Sequence, residues 1–294
     1  MSVRLSCVIL NYNDAETTEK LVKQIVDYKV LHQIIVVDNA STDDSLERLK
    51  KLEADQPGRL HVLSADHNGG YGSGNNLGVR YAAGQGGATH VLIANPDVVF
   101  SEQSLEAMLS VFARHPEVGI VTARIHDARF PDLKNGWPLR SFTRELLSMG
   151  PVSRRLFKRS FDYPDSYFAG HNAVYVGAVH GSMLMVDTEK FLEAGGYDEG
   201  VFLYEEEQIL GRRMQTAGYR SVLLLNQHYD HEHSTSISKS FSDAMKRQQL
   251  REKSTLYYMK HYLHINPLQE QIAKLWFAGI RMEMQVAKLA GIKI

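Results

Sequence analysis

The sequence predicts an α/β fold: a mainly parallel sheet flanked by helices, followed by a helical extension at the C-terminus. Three observations carry this expectation. Short β-branched runs alternate with amphipathic segments along the first 124 residues, the strand-helix-strand order that builds a parallel sheet. The runs are apolar throughout rather than alternating, as strands covered on both faces are. Beyond about residue 237 the pattern is helical to the end.

Five runs read as strands in the first part: "LSCVIL", "QIIVVD", "LHVLS", "HVLIAN" and "VGIVTAR". Between them, residues 16–28, 43–53, 74–83 and 101–115 have one apolar face each and read as helices. Ser41-Thr42-Asp43 and Ser101 are the expected helix N-caps. Residues 125–175 are irregular and carry Pro131, Pro138, Pro151 and Pro164, a long excursion rather than a second domain. A strand "GSMLMV", a helix over 206–217 and a strand "SVLLL" follow, then helices over 238–264 and 267–290.

The composition narrows the functional classes. A formal net charge of -1 over 294 residues gives no electrostatic case for nucleic-acid binding. The single cysteine, Cys7, excludes an internal disulfide and fits a reducing compartment. It lies in an apolar run, where a buried thiol is expected rather than a nucleophile. The sequence shows neither a signal peptide nor an apolar stretch of the ~18 residues a membrane span needs. A cytoplasmic protein is expected, peripheral to the inner face of a membrane at most.

Polar residues collect where a parallel sheet binds ligands, beyond the carboxyl ends of its strands. Asn11-Tyr12-Asn13, Asp38-Asn39, the glycine-rich "HNGGYGSGNNLGV" and Asp97 of "NPDVVF" all fall there. Glycines let backbone approach a ligand, and the helix start after them offers free amide donors to phosphate. With Ser41 and Thr42 serving as caps, Asp38 is left for another use. "FLYEEEQILGRR" sets three carboxylates at a helix start, where the dipole favours negative charge. Crowded carboxylates raise one another's pKa, which suits a general base. His228, His231 and His233 form a loose cluster that offers metal ligands without a structural-zinc frame.

Taken in order, "VILNYN", "VVDNAST", "NGGYGSGNNLG", "NPDVVF", "GGYDEGVFLYEEE" and "HEHSTS" resemble the family 2 inverting glycosyltransferases with the GT-A (Rossmann-like) fold. Within that family the pattern is most similar to the rhamnosyltransferase-like branch. The similarity runs over about residues 3–236. It implies a nucleotide-sugar donor, Mg²⁺ or Mn²⁺, inversion at the anomeric carbon, and a saccharide or polyprenyl-linked acceptor in surface-glycan synthesis of the O-antigen or capsule type. The expected donor is dTDP-L-rhamnose, with a UDP-sugar as the alternative and a non-catalytic nucleotide-sugar-binding module as the rival class. By the resemblance, residues 1–124 form the nucleotide-sugar-binding half, 125–236 the acceptor and catalytic half, and 237–294 the helical extension.

The resemblance also distributes roles. Asp38 would bind base or ribose, and Asn11, Tyr12, Asn13 and Asn39 would shape the nucleoside pocket. Gly70, Asn75 and Asn76 lie on the donor side. Asp97 matches the last carboxylate of the metal motif, and His231 aligns with a histidine near the diphosphate, with His233 close by. Glu206-Glu207 stands where the family carries Glu-Asp, whose second member is the base. Glu207 is therefore the implied base and Glu206 its alternative.

Two further features lie outside those motifs. Between Pro138 and Asp162 six basic residues, including Arg140, Arg154 and Arg155, face two acids, which suggests contact with an anionic acceptor or a membrane surface. In the last helix Leu268, Ile272, Leu275, Trp276, Met282, Val286 and Leu289 recur at helical spacing, and Phe277, Ile280 and Met284 widen the apolar face. Packing on the domain, a homodimer or a peripheral membrane contact would each use such a helix.

Overall fold

A computed structural model of the chain describes residues 3–126, 134–232 and 244–290. His233 and Pro131 lie outside the described residues. The first half follows the predicted alternation: β1 (Leu5–Asn11), α1 (Ala15–Ile25), β2 (Leu31–Asp38), α2 (Ser45–Asp55), β3 (Leu60–Ser64), α3 (Gly70–Gly84) and β4 (His90–Ala94). A two-residue β5 (Val98–Val99), α4 (Glu102–Arg114) and β6 (Val118–His126) complete it. The excursion contains β7 (Gly136–Trp137), α5 (Phe142–Met149) and α6 (Pro151–Leu156), and β8 (Ala173–Val176) and β9 (Ala178–Val179) follow. Then come β10 (Met183–Asp187), α7 (Thr188–Glu193), α8 (Glu206–Thr216), β11 (Arg220–His231), α9 (Ala244–Tyr262) and α10 (Pro267–Leu289).

The main sheet has the order β3-β2-β1-β4-β10-β6-β11-β5, with β8 also paired to β11. Strands β1 to β4, β6 and β11 run one way, while β10, β5 and β8 run the other. The sheet is thus mainly parallel by direction but mixed in its second half, and residues from both halves of the chain interleave in it. Odd and even positions explain the continuous apolar runs. Cys7, Ile9, Ile34 and Val36 enter the core under α1, α2 and α4, whereas Val8, Ile35 and Val37 enter the core under α3 and α8. Cys7 is fully buried, as its apolar run predicts, and burial pushes its thiol pKa up.

Ser101 caps α4 by accepting from the Ser104 amide at 3.2 Å. Ser41 and Thr42 do not cap α2, whose N-cap is Asp44; they are engaged with the β1–α1 loop instead.

The extension shares a small core with α5. Phe277, Ala273 and Ile280 of α10 pack with Met259 of α9 and with Leu146 and Met149 of α5. Full burial of one such Phe contributes roughly 1.5–3 kcal/mol. Asn266 and Gln269 form a capping box at the start of α10, with Pro267 in the first turn. The residues turned inward are those that only widened the predicted apolar face. The regular stripe, including Leu275, Met282 and Val286, lies in solvent. Among the described residues no helix is long and apolar enough to cross a membrane.

Candidate active site

Parallel pairing sets Asn11 beside Asp38 at the carboxyl ends of β1 and β2. Asp38 is buried; its Oδ1 accepts from Asn11 Nδ2 at 2.9 Å and its Oδ2 from the Ser41 amide at 3.0 Å. Asn13, in the left-handed region at φ 53°, bonds Ser41 through its amide and Thr42 through its side chain. The two loops are therefore closed on each other. The use that sequence left open for Asp38 includes holding this junction. Tyr12 is half-buried and Asn13 exposed beside it.

The glycine-rich segment starts α3. Gly70 has φ +88°, and a Cβ there would lie 2.1 Å from the Phe202 carbonyl oxygen, so no other residue fits. Tyr71 N–H donates to that same carbonyl at 3.2 Å, and Tyr71 Oη donates to the Gly181 carbonyl at 2.5 Å. This locks the loop to the segment leading into the three carboxylates. Asn39 Nδ2 donates to Asn68 Oδ1 and to the Gly70 carbonyl. The buried Oδ1 atoms of Asn39 and Asn75 have no protein donor. Asn76 instead spends both N–H bonds on the Tyr197 carbonyl and Glu199, and its Oδ1 accepts from the Tyr197 amide. The structure thus gives Asn76 the task of holding the turn before the carboxylates.

Strand β11 runs six residues past "SVLLL", through a bulge before His228, and its end pairs with β5: His231 opposite Val98, Asp230 opposite Val99. That pairing brings His231 Nε2 to 3.3 Å from Asp97 Oδ1, with both side chains buried. His228 points elsewhere, edge-on to His126. His180, between β9 and β10, sits edge-on to His231 with ring centres 5.6 Å apart. Sequence reasoning missed His180, because only the tertiary fold carries "AVHGSML" to Asp97. Asp97 and His231 offer one oxygen and one nitrogen donor, a pair that fits a divalent cation. Among the described residues no group of three His, Cys, Asp or Glu is placed to hold a metal alone.

The carboxylates sit at the start of α8. Tyr204 and Glu205 are both left-handed, at φ 73° and 69°, an uncommon conformation for side-chain-bearing residues. Helix α9 holds this loop from behind: Ser254 Oγ donates to the Leu203 carbonyl at 2.6 Å and Thr255 Oγ1 to Glu205 Oε1 at 2.8 Å. Burial, then the Glu145 carboxylate, push the Glu205 pKa up to about 8. Burial, then Glu207, push Glu206 up to about 8, and its Oε1 has no protein partner. Burial also raises Glu207, opposed by hydrogen bonds from backbone amides, its own and that of Gly181 at 3.4 Å, and by the charge of Arg140. These oppose the rise, but burial outweighs them and the net direction is upward.

Glu205, Glu206 and Glu207 line a cavity of about 650 Å³ together with Asn95, Tyr71 and His180. Neither Asp97 nor His231 lines it; His180, which does, stands against His231 and so links the pair to the cavity of the carboxylates. Of the basic residues singled out in sequence, Arg140 and Arg154 line it and Arg155 does not. Arg247 and Arg251 of α9, which the sequence reading did not single out, line it too.

The family model described as glycosyl transferase family 2 matches residues 6–179. The chain is 25% identical over 204 residues to the low-salt glycan biosynthesis hexosyltransferase Agl10 of Haloferax volcanii, covering 69% of this chain and 59% of that protein. It is 27% identical over 214 residues to an N-acetylglucosaminyl-diphospho-decaprenol L-rhamnosyltransferase of Mycobacterium tuberculosis, covering 64% of this chain and 62% of that one. The chain thus spans about three fifths of the length of these relatives. In fold it is similar to the crystal structure of GalNAc-T7 with UDP, GalNAc and Mn²⁺, with a TM-score of 0.60, 15% identity, and coverage of 78% of this chain and 43% of that chain.

Proposed function

The chain belongs to glycosyl transferase family 2, and from that premise we propose that it moves a sugar from a nucleoside-diphosphate donor to a hydroxyl of a saccharide or polyprenyl-linked acceptor, with inversion. The observation that carries the reading is His180, which stands edge-on to His231, the partner of Asp97, and lines the cavity of Glu206 and Glu207.

The donor lies across the strand ends, with Asp38, Asn11, Tyr12, Asn13 and Asn39 at the nucleoside and the Gly70–Asn75 segment beside the diphosphate. Asp97 and His231 would hold Mg²⁺ or Mn²⁺, which would supply charge neutralisation to the nucleoside diphosphate as it leaves. The acceptor hydroxyl attacks the anomeric carbon as the bond to the diphosphate oxygen breaks, and its proton passes to a carboxylate. Glu207 fits that role better than Glu206, because amide donors and the charge of Arg140 oppose the rise that burial imposes on it, whereas Glu206 is pushed up to about 8. The retained carboxylates speak against a binding module without catalysis.

A UDP-sugar is the better-supported donor, ahead of dTDP-L-rhamnose. Names among the relatives and neighbours range over hexosyl and rhamnosyl transfer and a UDP complex, which no single deoxysugar covers. A place in surface-glycan synthesis at the cytoplasmic face of a membrane belongs to the same reading, with the exposed stripe of α10 as the peripheral contact and a homodimer as its rival. The test is release of nucleoside diphosphate. The protein is mixed with Mn²⁺, a panel of UDP-sugars and dTDP-rhamnose, and saccharide or prenyl-diphosphate saccharide acceptors. UDP release that requires acceptor supports the reading. Binding without release for every donor returns the chain to the module class.

A further inference from the structure

We propose that Tyr71 is the positioning residue of the base: its hydroxyl holds Gly181 where the Gly181 amide reaches Glu207, so that the glycine-rich loop aims the carboxylate. The inference rests on the transferase reading above and adds a residue that reaches the chemistry through another. Tyr71 lies in the first turn of α3, 110 residues before Gly181. Its Oη donates to the Gly181 carbonyl at 2.5 Å, and the Gly181 amide donates to Glu207 Oε1 at 3.4 Å. One glycine thus carries the phenol on its carbonyl and the base on its amide. A Cβ built at Gly181 would lie 3.4 Å from Glu207 Oε1 and 3.5 Å from Tyr71 Oη, so both side chains close on the same small space. A bond of 3.4 Å is near the limit for a hydrogen bond, and a small displacement of Gly181 makes it or loses it.

The residues on either side of Gly181 are fixed from elsewhere. The Ser182 carbonyl accepts from the Asn95 amide at 2.7 Å, and the His180 amide donates to the Asn135 carbonyl at 3.0 Å. Tyr71 ties the residue between them to the donor side. Its own backbone N–H donates to the Phe202 carbonyl at 3.2 Å, four residues before Glu206. The contacts therefore close a ring, from Tyr71 through Phe202 to the start of α8, then from Glu207 to Gly181 and back to Tyr71 Oη. Packing accounts for the aromatic ring of Tyr71, which Tyr197 meets edge-on with ring centres 5.4 Å apart. A phenylalanine would pack there equally well, so the hydroxyl is the part that packing does not explain. Burial, then the Tyr197 phenol and the carboxylates of Glu207 and Glu206, hold that hydroxyl well above the ordinary phenol range. It is a neutral donor wherever the base titrates. The loop it belongs to is the one assigned above to the donor's diphosphate, so the same segment meets the donor and places the base.

The experiment uses the full chain with Tyr71→Phe, Glu207→Gln and the two combined. Titration of Glu207 is read from the infrared carboxylate band that Glu207→Gln removes, with and without Tyr71→Phe, and needs no substrate. Turnover is read as nucleoside diphosphate released in Mn²⁺ with acceptor. Loss of the hydroxyl should weaken the amide bond that opposes burial, so the band should titrate at higher pH in Tyr71→Phe than in wild type. There kcat should fall about tenfold or more with UDP affinity kept within about twofold, while the same change added to Glu207→Gln should cost less than about twofold. An unmoved carboxylate titration overturns the proposal. An equal loss of kcat in both backgrounds also overturns it and makes Tyr71 a packing residue. A parallel fall in UDP affinity overturns it by placing the hydroxyl with the donor instead of the base. Absence of release from wild type with every donor would strike the transferase reading, and the titration would still decide whether Tyr71 holds Glu207.

Discussion

Thr255 Oγ1 donates a 2.8 Å hydrogen bond to Glu205 Oε1, and so ties the C-terminal extension to the loop that presents Glu206 and Glu207. Both partners are buried, and the loop they join contains two consecutive left-handed residues. Thr255→Val keeps the shape and removes the donor, leaving a buried carboxyl oxygen unsatisfied, at about 1–3 kcal/mol. The variant is expected to melt several degrees lower and to lose kcat while donor affinity persists. An equal loss of donor affinity in calorimetry would show that the bond serves the whole domain and not the base.

Glu207→Gln preserves size and removes proton acceptance. Turnover is expected to fall by on the order of 10²-fold or more, with nucleotide affinity unchanged. Full turnover in Glu207→Gln together with loss in Glu206→Gln would move the base by one residue. In the wild type the acid limb of the rate profile should lie above the ordinary carboxylate range, because burial raises Glu207.

Asp97→Asn removes the charged oxygen of the cation pair while leaving the Asp97–Glu232 backbone bond to the same strand end. Mn²⁺ should then improve UDP affinity by at least about tenfold less than in wild type, or ~1.4 kcal/mol. An unchanged Mn²⁺ effect would return Asn95-Pro96-Asp97 to the status of a turn.

Glu205 makes a stability prediction with a definite sign. Its carboxyl sits at about 8 when folded, against 4.5 as the ordinary value, so the folded chain holds a proton that the unfolded chain has lost. Stability therefore falls as pH rises from about 4.5 to about 8 and then levels. Glu205→Gln removes that loss. Thermal melts should show the variant more stable than wild type at pH 8.5, by about 2–4 °C per kcal/mol recovered, with the advantage gone near pH 4.5. A constant difference at every pH would mean that Glu205 is not buried as the acid.

Much of the first half was legible because its signals are local. Apolar runs such as residues 33–38 can only be strands covered on both sides, and polar residues at their ends can only gather at one sheet edge. The Asp97–His231 meeting was legible through resemblance, though the strand that delivers His231 was read as ending near residue 225. Strand direction leaves no local trace, so the reversed β10 could not be seen. Ser41 and Thr42 carry good cap chemistry, but Asn11, Asn13 and Asp38 compete for the same groups and hold them. The inward face of α10 was not legible because both of its faces are apolar, and periodicity does not say which one finds a neighbour. His180, Arg247 and Arg251 are ordinary residues in sequence; only the folded chain gathers them around the base.

The position of β10 between β4 and β6 has a consequence for how the chain is made. Among the described residues strand β6 has only β10 and β11 as sheet neighbours, and both lie at least 57 residues later in the chain. While the polypeptide emerges from a ribosome, β1 to β4 can zip together on their own, but β6 stays an open edge until Met183–Asp187 arrives. That is a long-range closure of the slow kind, with bare strand edges exposed meanwhile. It also makes the halves poor cassettes. A chimera joined at residue 124 must rebuild β10 against two foreign strands, β4 and β6, so exchange among relatives has to carry 183–187 along with the first 126 residues or fail at the sheet.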